Sequence, residues 1–264
     1  MITLKKKEKI FYKKYGYLII KNALNRKEIS KLERRLKYLE RSQSNNKRGL
    51  AEPGISKSLI HSLHKDSIIK KIIYEKKWYK NVCRTLLDAE NFIDWNCKSN
   101  LKTRWHGSAE YYHQDFEYWR SYGFNSSNMM SSMFFIDDHN HDNGGMWIFP
   151  KSHKKHYKHK KFLNINSLQK NLIPLKTLDK LHKKFKVMQL NEKAGSCIFF
   201  HCKLVHGSSH NISNNNRRII LSQISDAIGF DQKNIDKINT QNASERKKYE
   251  KRVLTERLES LNLS

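Results

Sequence analysis

Two side chains able to share one metal ion stand in Tyr111-Tyr-His-Gln-Asp-Phe116: His113 and Asp115, separated by a single residue. On an extended strand that spacing turns both toward the same face. A further histidine, His206, follows about ninety residues later in Leu204-Val-His-Gly-Ser208, just after the apolar run Cys197 to Phe200. A barrel that brings those strands together would set two imidazoles and one carboxylate on one side of an ion. Three adjacent coordination positions would stay open, which suits non-haem Fe(II) with dioxygen and a second chelator. The pair alone is weak ground in a chain with 13 histidines. Arg217 strengthens it, because a guanidinium on the strand after His206 is suited to a bidentate grip on a dicarboxylate whose other end chelates the metal. The competing reading of Arg217 is a solvated surface charge. Its neighbour Arg218 is expected on the opposite face of the strand.

The remaining reactive residue types carry less. His201 ends an apolar run and His210 sits in a turn-like Ser-Ser-His-Asn stretch, so structural or solvent roles are expected for both. His139, His141, His153, His156 and His159 fall in loops or in the basic run Lys151 to Lys161 and are expected to be exposed. Cys83, Cys97, Cys197 and Cys202 show no C-x-x-C spacing. Thiolates would favour other metals than the one inferred, so the cysteines are assigned to packing as free thiols in a reducing, cytoplasmic setting. Trp105, Trp119 and Trp147 are expected in the core or a pocket wall. Gly144-Gly145 reads as a tight turn and not a phosphate cradle, since no helix start follows it. No Gly-x-Ser-x-Gly elbow supports a hydrolase.

The elements that must position these residues change character along the chain. Gly16 to Ile20 reads as a buried strand, and Asn25-Arg-Lys-Glu28 as a helix start with a capping box. Ile29, Leu32, Leu36 and Leu39 then share one helical face. Turn formers fill 42–58, before a second helical stretch at about 65–87. From about residue 91, short apolar runs (Met133 to Ile136, Met146 to Phe149, Cys197 to Phe200, Ile219 to Leu221) alternate with Gly, Asn and Asp clusters, which predicts an antiparallel barrel or sandwich. Tyr249, Val253, Leu254, Leu258 and Leu261 lie close to helical spacing. The expected layout is one domain over 1–264: a helical layer at about 22–90, a β-core at about 91–228 and a C-terminal helix at about 243–262.

Composition bounds the function classes. With 264 residues, 38% hydrophobic and 29% charged, the chain can bury one substantial core. No apolar run approaches the length of a membrane span, and Met1 to Lys7 leads into charged and aromatic residues, which reads against a secretory signal. The net charge of +27 raises nucleic acid or another polyanion as a partner. Its spread along the chain, mostly as lysine among abundant Asn and Ile, is equally what an AT-biased coding sequence produces.

His113-Gln-Asp115 followed by His206 and Arg217 resembles the Fe(II)/2-oxoglutarate dioxygenases of the phytanoyl-CoA dioxygenase family. Ala51-Glu-Pro-Gly54, Asn100-Leu-Lys102, His113 to Trp119, Asn143 to His153 and His206 to Ser213 look like its ectoine hydroxylase branch, and the similarity spans about 15 to 228. The resemblance implies an α+β, mainly β, double-stranded β-helix (jelly-roll, cupin-like) core flanked by helices. It implies Fe(II) held by His113, Asp115 and His206, O2 at a vacant position, and 2-oxoglutarate anchored by Arg217 with Ser132, Asn100 and Lys102 nearby. Trp119 matches a residue lining the substrate pocket. Where that branch has a substrate-contacting glutamine this chain has Asn96, and Ile219 and Leu221 replace asparagine and phenylalanine after the arginine. The catalytic machinery matches and the pocket does not.

The implied activity is hydroxylation of a C–H bond in a small polar metabolite (ectoine, or an amino- or imino-acid-like compound) with release of succinate and CO2. Asp115 argues against halogenation, because related halogenases replace the carboxylate ligand with a small residue. The implied partner is a small-molecule substrate, with no membrane and with a homodimer as an open assembly. Two other readings stay open: the same chemistry on a macromolecule, nucleic acid or protein, and a non-catalytic basic jelly-roll binding module.

Overall fold

A computed structural model describes residues 2–45, 57–120, 124, 126–164 and 169–226. Its helices are α1 (Lys6–Tyr15), α2 (Arg26–Asn45), α3 (Ser67–Ile69, continuing as a wider turn over Lys70–Tyr74), α4 (Lys77–Leu87), α5 (Asp115–Arg120) and α6 (Leu175–Lys184). Its strands are β1 (Tyr17–Ile20), β2 (Lys57–His61), β3 (Phe92–Lys102), β4 (Glu110–His113), β5 (Met129–Phe135), β6 (Met146–Ile148), β7 (Lys160–Asn164), β8 (Gln169–Leu172), β9 (Met188–Gln189), β10 (Cys197–His201), β11 (His206–Ser208) and β12 (Arg217–Asp226). The expected C-terminal helix and the Ala51 to Gly54 motif lie outside the described residues.

The strands form an antiparallel six-stranded sheet, β1-β10-β5-β12-β3-β2, a four-stranded sheet, β4-β11-β6-β9, and the pair β7-β8. Alternation along the central strands sorts their side chains between two cores. Met133, Phe135, Ile219 and Leu221 join Met146, Ile148, Ile198 and Phe200 in a cluster drawn from both large sheets. Phe134, Ile220 and Ile224 point the other way and pack with Leu32, Leu36, Tyr79, Val82 and Leu86 of the helical layer. The helix start at Asn25 is the expected capping box: Glu28 N donates to Asn25 Oδ1 (3.0 Å) and Asn25 N to Glu28 Oε2 (2.9 Å).

Contacts divide the chain into two units. One comprises Met1–Glu117 with Ser127–Ile228 and holds the sheets and the helical layer; the other comprises Tyr118–Ser126 with Gly229–Ser264. Among the described residues no helix is long and apolar enough to cross a membrane.

Candidate active site

His113 ends β4 and His206 opens β11, and the two stand directly opposite each other in that antiparallel pairing. Their ring centroids are 4.3 Å apart. Asp115 corrects one expectation: it is not on the same strand as His113 but is the first residue of α5, after the strand has ended. The turn still carries its carboxylate to the imidazoles, with Oδ1 3.6 Å from His113 Nε2 and 3.7 Å from His206 Nε2. All three side chains are buried. The tautomers are fixed from behind. His113 Nδ1 bonds to Tyr111 O (2.8 Å) and His206 Nδ1 to Leu204 O (2.9 Å), so each Nδ1 carries the proton and each Nε2 lone pair is left for the site. Ser131 Oγ donates to the second carboxylate oxygen of Asp115 at 2.8 Å, leaving Oδ1 to face the histidines. Two Nε2 atoms and one anionic oxygen converging in a buried space form a donor set that fits a ferrous ion.

Electrostatics agree with that role. Burial alone would raise the Asp115 carboxyl, but His206, His113 and the Ser131 hydroxyl outweigh it and hold it well below the usual carboxylate range. Burial and then the charge of His113 push His206 down to about 4. Burial also works against His113, yet Asp115 overrides it and raises that imidazole. A metal ion therefore competes with a proton chiefly at His113.

The second half of the site lies on the large sheet. Arg217 is 2% exposed and pairs in register with Lys102 of β3, which is 0% exposed. Burial lowers Arg217 to about 10, with Glu110 and Asp137 opposing, so it remains a cation at neutral pH. Its Nη2 donates to Gly144 O (3.2 Å), while its Nε is buried without a hydrogen-bond partner. Lys102 Nζ donates to Ser208 Oγ (2.8 Å) and to Ser209 O. Gly144 has φ +86, and a Cβ there would lie 2.6 Å from Lys102 Cδ, so only glycine lets the chain pass this close. Asn100, opposite Ile219, faces the same way, and its buried Oδ1 has no hydrogen-bond partner. Two buried cations, one with an unused donor, fit a carboxylate ligand.

Other expected positions divide. Ser132 is a correction: it stands opposite Ser222 and faces the helical layer, where its Oγ lies 3.3 Å from Tyr79 Oη. Its neighbour Ser131 faces the metal ligands instead. Ile219 and Leu221 line the inner cluster, and half-buried Asn96 donates to Gln223 Oε1 across the strands (2.8 Å). Trp119 lies in the smaller unit, where its carbonyl accepts from Phe124 N (3.4 Å). Four of the histidines expected to be exposed are not, His156 among them as a half-buried residue. His139 is 1% exposed, stacks near Phe135 and accepts from Met146 N (2.8 Å) through Nε2. Burial, then the charges of Arg217 and Lys102, lower it well below the usual imidazole value. His153 is buried, and His159 accepts from Gln114 N (3.0 Å).

Among the described residues a second group, Glu117, His156 and His159, is also compact enough for a metal. Both ring nitrogens of His159 are already engaged, by Gln114 N and by Tyr157 O (2.8 Å). We therefore read it as a docking of the basic run, with His156 Nε2 3.0 Å from Glu117. Gln114 completes that docking by donating to Lys155 O (2.7 Å) and accepting from Tyr157 N (2.8 Å).

Gln169 of β8 carried no motif and is the supporting residue that sequence reasoning missed. Its Oε1 accepts from Tyr111 N (2.7 Å) and its Nε2 donates to Tyr111 O (2.8 Å), the carbonyl that fixes the His113 tautomer. Gln169→Leu is expected to weaken iron binding about 10- to 100-fold while the protein stays folded, as for other partners behind metal ligands. Competition with a ferrous chelator measures it, and unchanged affinity would remove Gln169 from the site.

Comparison with known proteins adds the lineage. The sequence profile of the phytanoyl-CoA dioxygenase family (PhyH) matches residues 12–219. The ectoine dioxygenase of Bordetella parapertussis is 26% identical over 220 residues, covering 76% of this chain and 69% of its own length. The L-proline trans-4-hydroxylase of Streptomyces griseoviridis is 23% identical over 225 residues, covering 81% and 83%. Among solved structures, EctD from S. alaskensis with 2-oxoglutarate and 5-hydroxyectoine superposes with a TM-score of 0.72 at 19% identity, over 86% of this chain and 77% of that one. The non-heme alpha-ketoglutarate-dependent carbocyclase SnoK from nogalamycin biosynthesis gives 0.67 at 17% identity, over 85% of each. The shared architecture is the double-stranded β-helix.

Proposed function

Because this chain belongs to the phytanoyl-CoA dioxygenase family, we propose that it hydroxylates a C–H bond of a small polar metabolite, using His113, Asp115 and His206 to hold Fe(II). It is an Fe(II)- and 2-oxoglutarate-dependent dioxygenase. The observation that carries the residue assignment is the convergence of two tautomer-fixed Nε2 atoms and Asp115 Oδ1 in one buried space. When bound, iron with 2-oxoglutarate supplies the oxidising power: one O2 is consumed, the keto acid becomes succinate and CO2, and the substrate C–H becomes C–OH.

The chain's own residues supply position and polarity. Arg217 takes the distal carboxylate of 2-oxoglutarate, with Lys102 beside it adding a second positive charge. Asn100 offers its amide within the same buried face. His139 stays neutral and braces the Gly144 turn through Met146 N, so the carbonyl that orients Arg217 keeps its place. Ile219, Leu221, Met133 and Phe200 keep water from the inner cavity. Ectoine or an amino- or imino-acid-like compound is the substrate class the relatives favour.

The test is a succinate-release screen on iron-loaded protein against amino acids, imino acids, compatible solutes and coenzyme A thioesters. Strong stimulation by at least one small polar compound is expected. An iron-loaded protein that consumes no oxygen in response to 2-oxoglutarate and any of these would reject the proposal.

A further inference from the structure

The lysines are not spread evenly along the chain. Lys151–Lys161 carries six of them and Leu175–Lys186 five, with Asp179 the one acid and no arginine in either stretch. Lysine thus fills about half of these stretches of 11 and 12 residues, whereas Lys and Arg together make 52 of 264, about a fifth. A biased composition gives an excess throughout, not this concentration. The fold then joins the two stretches. Tyr157 of the first packs with Leu178 and Phe185 of the second around Phe149, Ile173 and Leu181. Lys160 also pairs with Leu172, three residues before α6.

All eleven of these lysines are exposed. In α6, Lys176, Lys180, Lys183 and Lys184 stand at i, i+4, i+7 and i+8 and form one stripe, opposite the buried Leu181. Among the described residues no ion pair involves any of the eleven, although elsewhere Lys9 and Lys13 share Asp88, Lys76 meets Glu28 and Lys193 meets Asp138. Like charges gathered on one face repel, and an anion laid across them removes that repulsion. The face is anchored beside the metal ligands, because Gln114 N, between His113 and Asp115, donates to His159 Nε2 (3.0 Å).

We propose that this face binds the phosphate backbone of duplex nucleic acid without reading its sequence. Lysine neutralises phosphates as a point charge, whereas two-pronged planar recognition favours arginine, which both stretches lack. A protein partner would call for an apolar centre, and interfaces of that kind are depleted in lysine. Leu175 is the only exposed large apolar residue in the two stretches. A single strand would stack its bases on aromatic faces, but Tyr157 and Phe185 are half-buried and lie under Lys155 (5.9 Å) and Lys184 (5.3 Å). A lipid surface would take the apolar side of α6, whose Leu181 is already packed with Phe149 and Ile173. This binding is independent of the oxygenase reading.

Fluorescence anisotropy on the full chain, with mixed-sequence DNA duplexes of about 25 base pairs, tests it. Binding at about 50 mM salt should be equal for two unrelated sequences and fall steeply toward about 200 mM. Lys176→Gln, Lys180→Gln, Lys183→Gln and Lys184→Gln together should weaken it by about tenfold or more and make the salt slope shallower by roughly 2 to 4. A separate variant carrying Lys154→Gln, Lys158→Gln and Lys161→Gln should act in the same direction, which guards against a defect confined to α6. The control removes the same charge elsewhere, with Lys21→Gln, Lys27→Gln, Lys31→Gln and Lys77→Gln at exposed positions, and should cost less than about threefold. An equal loss in the control would mean that only net charge matters, and the assignment is overturned. No binding to the duplexes, a marked preference for one sequence, or tighter binding to single-stranded DNA, polyglutamate or phosphatidylserine vesicles overturns it as well.

Discussion

Asp115→Ala and His113→Ala are each expected to abolish substrate-triggered succinate release while leaving the fold intact. Each removes one of three donors: without His113 the ion keeps a single imidazole and one carboxylate, and without Asp115 the two histidines are left in the halogenase-like arrangement, which lacks the carboxylate that hydroxylation uses. The fold survives for a separate reason. Loss of the Asp115 carboxylate leaves the buried Ser131 hydroxyl without its acceptor, a cost of about 1–3 kcal/mol against a domain stability of roughly 5–15 kcal/mol. The sign of the pH effect follows from the same carboxylate. Asp115 is held below its ordinary range in the metal-free protein, so its contribution to stability is present at neutral pH and lost as the pH falls through its folded value. The alanine variant should therefore lose part of its acid sensitivity. Circular dichroism, iron content and succinate release measured together separate loss of metal from loss of fold. A variant that remains fully active would remove the residue from the metal centre.

Much of this was legible because strand alternation and ligand chemistry leave marks in sequence. The runs Met133 to Ile136 and Ile219 to Leu221 announce strands buried on both faces, and the structure sends their alternate residues to two different cores. What failed was parity and context. Ser131 and Ser132 are chemically identical neighbours, and only their register against β12 decides that the first reaches Asp115 and the second Tyr79. β4 bulges against β11 at Tyr111, and no glycine within Glu110–His113 betrays it; the requirement for a small residue falls on Gly207, across the pairing and far along the chain. His139 sits among aspartates and asparagines that read as solvent-facing turn, yet the turn folds its ring against Phe135. Gln169 acts by replacing a strand partner for one residue, and such a role has no sequence period at all.

Arg217→Ala should weaken 2-oxoglutarate binding by about 2–5 kcal/mol, because it removes a charge-assisted pair and leaves a carboxylate unmatched in a buried space. That corresponds to roughly 30-fold to several thousand-fold in affinity. The loss should appear mainly as a raised KM for 2-oxoglutarate, with kcat recovering as the co-substrate is saturated. Arg217→Lys should rescue little, since an ammonium cannot reproduce a planar two-pronged contact while also reaching Gly144 O. Arg218→Ala supplies the internal control. Arg218 faces the other side of β12, where it meets Glu40 at 3.2 Å and Asp137 at 3.5 Å, so its removal should leave co-substrate affinity alone even if the protein becomes less stable. Equal effects from the two substitutions would mean that strand parity does not select the anchor, and unchanged affinity in Arg217→Ala would place the distal carboxylate elsewhere.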